Sequence, residues 1–174
     1  MLRIGQIKCK NCGAPIPIDS KSAFIKCDSC GTIWKYDASV QMVPQISVIE
    51  EKGAVCYQIR NNCILGRNVN GYFSLISEID DNYKQCCTIR NPYVGKHHAR
   101  IEVKDVNEVS IFDGEERIVQ KKKCKISDCL SKNGTAVNGE LLAPNQAIEL
   151  KDNDVITLAP SSLCPLNIRF RYVV

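Results

Sequence analysis

Two copies of Cys-x-x-Cys-Gly constrain this chain more than any other feature: Cys9-Lys10-Asn11-Cys12-Gly13 and Cys27-Asp28-Ser29-Cys30-Gly31. A pair of cysteines two residues apart can put both thiolates on one metal ion while a tight turn aims backbone amides at the sulfurs. The glycine after each pair supplies the backbone angles that such a turn needs. Fourteen residues separate the pairs, the spacing of a four-cysteine zinc site. Cys9, Cys12, Cys27 and Cys30 are therefore the candidate ligands of one Zn2+. Four sulfur ligands leave no position for water or substrate, so the expected role is structural and not catalytic. Ligand type alone leaves iron open as the metal.

Short apolar pieces lie between and after the two pairs, around Phe24-Ile25 and at Ile33-Trp34-Lys35-Tyr36. Strands hung from two such knuckles make residues 7–36 resemble a zinc ribbon. About thirty residues bury too little to fold unaided, and zinc binding of about 10–16 kcal/mol in small peptides matches what such a fold needs. Residues 1–44 carry six Lys or Arg against three Asp or Glu. A Zn2+ on four thiolates adds about −2, which nearly cancels that excess. A nucleic-acid face calls for a denser basic patch. A structural or protein-docking ribbon is the expectation, with ribbon-led nucleic-acid binding as an alternative.

Beyond Pro44 the pattern changes. Val55, Tyr57 and Ile59 alternate with Cys56 and Gln58. Ile101 and Val103 alternate with Glu102 and Lys104. Ile156 and Leu158 follow a turn at Asp152-Asn153-Asp154, and Leu166, Ile168, Phe170 and Tyr172 alternate with Asn167, Arg169 and Arg171. Period-two patterning is the mark of half-buried strands, and no stretch of ten residues holds a helical period. The prediction is an all-β chain in two parts, a ribbon over 1–44 and a β-sandwich or barrel over 45–174.

A second signal sits late in the chain: Asp128-Cys129-Leu130-Ser131-Lys132-Asn133-Gly134-Thr135-Ala136-Val137-Asn138-Gly139. Asn-Gly is a strong tight-turn pair, and two of them around Thr135-Ala136-Val137 describe a loop, a very short strand and a hairpin turn. Upstream stand Ile64-Leu65-Gly66-Arg67 and Val94-Gly95-Lys96-His97-His98-Ala99-Arg100-Ile101. In this order the three segments, within roughly residues 50–174, resemble the forkhead-associated (FHA) domain, a β-sandwich that binds phosphothreonine peptides.

The resemblance implies a role for each residue. Arg67 would contact the phosphate. Asn133 would hold the peptide backbone, and Lys132, just before it, would reach the phosphate. His98 would brace a loop through buried hydrogen bonds, and Asn138 would support the loops. Gly95 stands where the family usually has serine, so it would offer only its amide, with Lys96 adding charge. The lost hydroxyl is worth on the order of 1.5–3 kcal/mol. Phosphothreonine itself brings about −1.5 to −2 charge and three strong acceptors. Taken singly these residues are ordinary: Arg67, Lys96 and Lys132 as surface cations, Asn133 and Asn138 as turn formers. Order and combination carry the functional reading.

The partner implied is a protein phosphorylated on threonine by a Ser/Thr kinase. A phosphate-independent adaptor is the alternative that Gly95 opens. No enzyme is expected, since no nucleophile and base stand beside an oxyanion motif and no phosphate-cradling loop is present. The net charge of +4 over 174 residues does not suggest a polyanion binder. No apolar run approaches the roughly 18 residues that cross a bilayer, and the N-terminus lacks a signal-peptide core, so a soluble cytoplasmic protein is expected. In that setting the other seven cysteines, Cys56, Cys63, Cys86, Cys87, Cys124, Cys129 and Cys164, read as small apolar residues. Residues 68–93 and 105–126 read as long spacers for the family, and Lys121-Lys122-Lys123 as a solvated loop or an edge-strand guard.

Overall fold

Alternating apolar and polar residues bury one side only as strands, and among the described residues of this computed structural model, 5–18 and 21–174, every regular helix or sheet element is a strand. The chain divides into two compact units. One comprises Met1–Met42 with Asp105–Lys122 and Val174; the other comprises Val43–Lys104 with Lys123–Val173. Strands β4 (Ile33–Glu50), β9 (Ala99–Phe112) and β10 (Glu115–Asp128) give residues to both.

In the first unit β1 (Gly5–Lys8) and β2 (Pro15–Ile18) form an antiparallel pair. β3 (Phe24–Lys26) pairs antiparallel with the start of β4, and β10 runs parallel to β4 from Arg117↔Lys35 to Lys121↔Met42. Ile7, Ile16, Ile18, Ile25, Trp34 and Tyr36 make a small core with Cys9 and Cys27, and Ile118 of β10 completes it, with Val109 of β9 packed alongside. The stretch 105–126 is thus no loop: its strands supply core residues to the unit that holds the cysteines. Each buried apolar side chain contributes about 1.5–3 kcal/mol.

The lysine run differs from its expectation for the same reason. Lys121 meets Glu108, Lys122 meets Asp105 and Lys123 meets Glu149. The three lie within β10, between paired strands, where cross-strand carboxylates replace solvent.

The second unit is a sandwich. One sheet runs β13 (Ala147–Glu149), β10, β9, β6 (Cys63–Arg67), β7 (Tyr72–Ser77), β8 (Tyr83–Arg90). The other runs β12 (Glu140–Leu141), β11 (Thr135–Val137), β14 (Val155–Leu158), β15 (Leu166–Val173), β4, β5 (Gly53–Gln58). The expected alternation holds: Ile168, Phe170 and Tyr172 point inward and Arg169 and Arg171 outward, while Ile156, Leu158 and Ile101 are buried. Phe73, Leu65, Ile46 and Ile126 join them in the core.

Pro44 does not end a strand. It lies inside β4, where its carbonyl accepts from Ile59 N–H just past the end of β5. A residue's N–H and C=O point to the same side of a strand, so the missing N–H lies on this side, past the end of the β5 ladder, and costs no bond to β15.

Candidate functional site

Four loops gather at one end of the sandwich, and hydrogen bonds join them. The β6–β7 turn is set by Asn68, whose side-chain oxygen accepts from the amides of Asn70 and Tyr72. Arg67 N–H donates to Gly95 O at 3.1 Å and His98 N–H to Leu65 O at 2.8 Å, which seats the β8–β9 loop on β6. The fit is close enough that a Cβ on Gly66 would collide with the Lys96 carbonyl. Glycine at 66 is required by this approach and not by a turn.

His98 is fully buried and carries the next link. Its Nδ1 accepts from Gly95 N–H at 2.9 Å, so the ring proton sits on Nε2, which donates to Gly134 O at 2.6 Å. One ring therefore bridges the β8–β9 loop to the β10–β11 loop. Burial lowers its pKa, with the Gly134 carbonyl and Asp128 opposing that shift in part, and the neutral tautomer is the one this geometry holds.

Asn133 donates its side-chain amide to Tyr93 O at 3.0 Å and accepts, through its own carbonyl, from Ser161 N–H. It ties the β10–β11 loop to both the β8–β9 and the β14–β15 loops. Asn138, at positive φ in the β11–β12 turn, bonds the Asp154 carboxylate and the Val155 amide. It braces the hairpin beside the loop and does not enter the loop cluster.

Two organising residues escaped the sequence reading. Asp128 accepts from Ser131 N–H and Oγ and from Thr135 Oγ1, at 2.6–2.9 Å. Burial pushes its pKa up, but these hydroxyls, the amide and nearby His98 outweigh it, and the carboxyl sits below its ordinary range. Asn91, buried, donates to Cys164 O and accepts from Tyr93 N–H. The available signals were Asp three residues before Ser131, an Asx pattern, and the Asn91-Pro92 turn pair.

The polar groups left facing outward define the chemistry. Arg67 is half-buried, and its Nε is buried without a hydrogen-bond partner. Lys96 and Lys132 are exposed and pair with no carboxylate among the described residues. The Ser131 hydroxyl, by contrast, is turned inward to Asp128. The Gly95 amide, expected to face phosphate, is given to His98 instead. Three cations on three joined loops, one with an unsatisfied buried donor, suit an anion with several acceptor oxygens.

The second site is in the other unit. The sulfurs of Cys9, Cys12, Cys27 and Cys30 all lie within 4.8 Å of one another. Cys9–Cys30 and Cys12–Cys27 are each 3.6 Å apart, near the roughly 3.8 Å edge of a tetrahedron with Zn–S bonds of about 2.3 Å. The two knuckles repeat: Gly13 N–H to Cys9 O and Gly31 N–H to Cys27 O, both 2.8 Å, with glycine φ of 75° and 76°. The Thr32 hydroxyl stands 3.1 Å from the Cys30 sulfur. The donor set fits a four-coordinate metal.

Of the other cysteines, Cys63, Cys86, Cys87 and Cys124 are buried as expected, while Cys56 and Cys164 are exposed and Cys129 is half-buried. Burial pushes the Cys63 thiol up to about 12, with Cys124, Glu78 and Cys86 adding to it, and burial likewise raises Cys86 to about 12. No disulfide joins any of the eleven.

The model of the FHA domain family matches residues 63–159, more than half of the chain. The chain belongs to the FHA family. Its fold resembles full-length yeast Pml1p, with a TM-score of 0.51 at 21% identity over 76% of this chain and 83% of that one. A second structure, of the yeast Pml1 splicing factor and its integration into the RES complex, gives 0.53 at 21% identity over 76% and 80%. The yeast Dun1 FHA domain, solved with a doubly phosphorylated (pT) peptide derived from Rad53, gives 0.49 at 19% identity over 84% of each chain. At these identities the likeness is one of fold. No curated protein sequence matches the chain significantly.

Proposed function

We propose that this FHA protein is an adaptor that docks partners phosphorylated on threonine by a Ser/Thr kinase, and that its cysteine-bearing part is a ribbon held by one structural Zn2+. Family membership supports phosphopeptide binding in general. The observation that carries the site is Arg67, whose buried Nε has no partner while hydrogen bonds tie the neighbouring loops to one another. A buried guanidinium nitrogen without an acceptor costs free energy, and a phosphate oxygen would supply one. Lys96 and Lys132 add charge against the dianion, and Asn133, already holding Tyr93, keeps one amide hydrogen for a peptide carbonyl. The Zn2+ would be bound by Cys9, Cys12, Cys27 and Cys30, where it supplies cross-linking and no reaction. The reduced cysteines suit the cytoplasm.

The test is retention of a degenerate phosphothreonine peptide library beside phosphoserine and unphosphorylated libraries. Phosphothreonine peptides should be retained selectively, and Arg67→Ala should weaken that retention about 10- to 100-fold without lowering the melting temperature, because no intramolecular bond is lost. Equal retention by the variant would refute the assignment.

A second reading is favoured by one observation. With the Gly95 amide committed to His98, the loop offers phosphate neither a hydroxyl nor that amide. On this reading the protein is a phosphate-independent adaptor, and unphosphorylated peptides would compete fully. Ribbon-led nucleic-acid binding predicts steep salt dependence that survives Arg67→Ala.

A further inference from the structure

β5 and β8 are edge strands of different sheets, and Tyr57 spans the gap between them. Its hydroxyl donates to the Gln85 carbonyl at 3.0 Å. Beside this bridge lies a cavity of about 570 Å³, the size of a small-molecule site. It is well apart from the phosphate loops. Cys63, the first residue of β6, lines the cavity, whereas Arg67, the last, stands at the other end of the same strand, roughly 13 Å away at the rise of an extended chain.

Apolar groups make part of the lining. Ile59, Cys63 and Leu75 are buried, and Tyr57 and Tyr83 add aromatic surface. The walls are also held in place. Glu78 N–H donates to Asn62 O, and Val103 N–H donates to the Asn62 side-chain oxygen, which ties the β5–β6 loop to the β7–β8 loop and to β9.

The polar lining divides into groups already used and groups left free. Asp80, the one carboxylate on the cavity, accepts from both the backbone and the side-chain amide of Asn82. Arg60 gives one nitrogen to Gln58 Oε1 at 3.0 Å and pairs with no carboxylate among the described residues. Lys84 stands opposite Leu75 in the β7–β8 ladder, with its ammonium 4.9 Å from the centre of the Tyr57 ring. It too has no carboxylate partner among the described residues. A cation–π contact positions the ammonium without neutralising it. Exposed cations are ordinary when single, but these two share one partly apolar cavity whose only acid is already occupied. One positive charge is therefore in excess there, and one carboxylate balances it.

We propose that this cavity binds a small monocarboxylate with an apolar body, its carboxylate on Arg60 and Lys84 and its body against Tyr57, Ile59 and Leu75. The guanidinium fork and the ammonium suit a carboxylate in geometry and charge. A cationic ligand would meet two like charges. An acid without an apolar body would leave the aromatic and aliphatic lining in water and gain little.

The experiment is a nuclear magnetic resonance titration of the full chain with phenylbutyrate, its neutral amide phenylbutyramide, and acetate. Phenylbutyrate should shift the backbone amides of residues 56–63 and 82–84 and bind about tenfold tighter than the amide, while acetate should leave those amides in place. Arg60→Gln and Lys84→Gln should each weaken phenylbutyrate about tenfold. Both side chains are exposed, so the fold is not at stake, and binding of phosphothreonine peptides should be unchanged in both variants. Equal affinity for the acid and the amide would overturn the proposal. So would shifts confined to the loops around Arg67 and lost in Arg67→Ala. No shift at about 10 mM phenylbutyrate, above the roughly millimolar Kd expected for a ligand of this size, would overturn it as well. All of these outcomes leave the phosphopeptide reading to its own test.

Discussion

At the scale of single residues, Gly95 is the position whose missing side chain bears most on the proposed site, and the structure shows what a side chain there would meet. The residue is not in the left-handed region. A Cβ added there would find its nearest neighbour, His98 Nδ1, at 3.7 Å, an ordinary contact. Serine therefore fits without moving the loop. A hydroxyl beside a bound phosphate contributes about 1.5–3 kcal/mol, so Gly95→Ser is expected to tighten phosphothreonine binding at least tenfold. Calorimetry on wild type and variant with one peptide checks this; unchanged affinity would place the phosphate elsewhere. Gly66 is the opposite case, since a Cβ there would run into the Lys96 carbonyl and no side chain fits. The two glycines look alike in the sequence, and only the approach of β6 to the β8–β9 loop tells them apart.

At the scale of elements, the four loops act as one because His98, Asn91 and Asn133 link them while Asp128 fixes the β10–β11 loop from within, and two of these residues titrate. The His98 pKa is lowered by burial, so between its folded value and the ordinary 6.5 or so the unfolded chain binds the extra proton. Stability from neutral His98 is thus complete above about pH 6.5 and declines as the pH falls below it. Asp128 has a lowered pKa, so its contribution is present above the ordinary carboxylate range near 4 and is lost below it. Urea midpoints should fall between pH 7.5 and 5, and the fall should be smaller in His98→Gln, which keeps a donor and an acceptor without titrating. An identical slope in the variant would remove His98 as the cause. Much of this element structure was legible beforehand: the alternation in β14 and β15, the Asn-Gly turns, and His98 as a brace. The 105–126 stretch was not, because its half-buried residues alternate weakly and its lysines read as solvent-facing until Glu108, Asp105 and Glu149 are placed opposite.

At the scale of the whole molecule, each compact unit has its own means of holding together. The sandwich rests on a core of Phe73, Phe170, Ile46 and their neighbours. The first unit has a small apolar cluster and four sulfurs in tetrahedral reach. Trp34, the chain's one tryptophan, is buried in that cluster at 4% exposure and reports on it alone. Native mass spectrometry should find one zinc per chain. Strong chelation should release it and shift Trp34 emission to the red, as the cluster by itself buries too little to persist. A blue, unshifted spectrum in the metal-free protein would show that the core suffices.

What the sequence determined by itself is what local chemistry dictates. Cys-x-x-Cys-Gly specifies a knuckle, period-two patterning specifies strands, and the order of Arg67, His98 and Asn133 specifies the family, since each signal is contained in a few consecutive residues. The tertiary structure alone decided which donors remain for a ligand. The Gly95 amide and the Ser131 hydroxyl are used up by His98 and Asp128, while the Arg67 Nε is left without an acceptor. Hydrogen-bond partners of this kind lie three to dozens of residues apart, and only folding brings them within 3 Å.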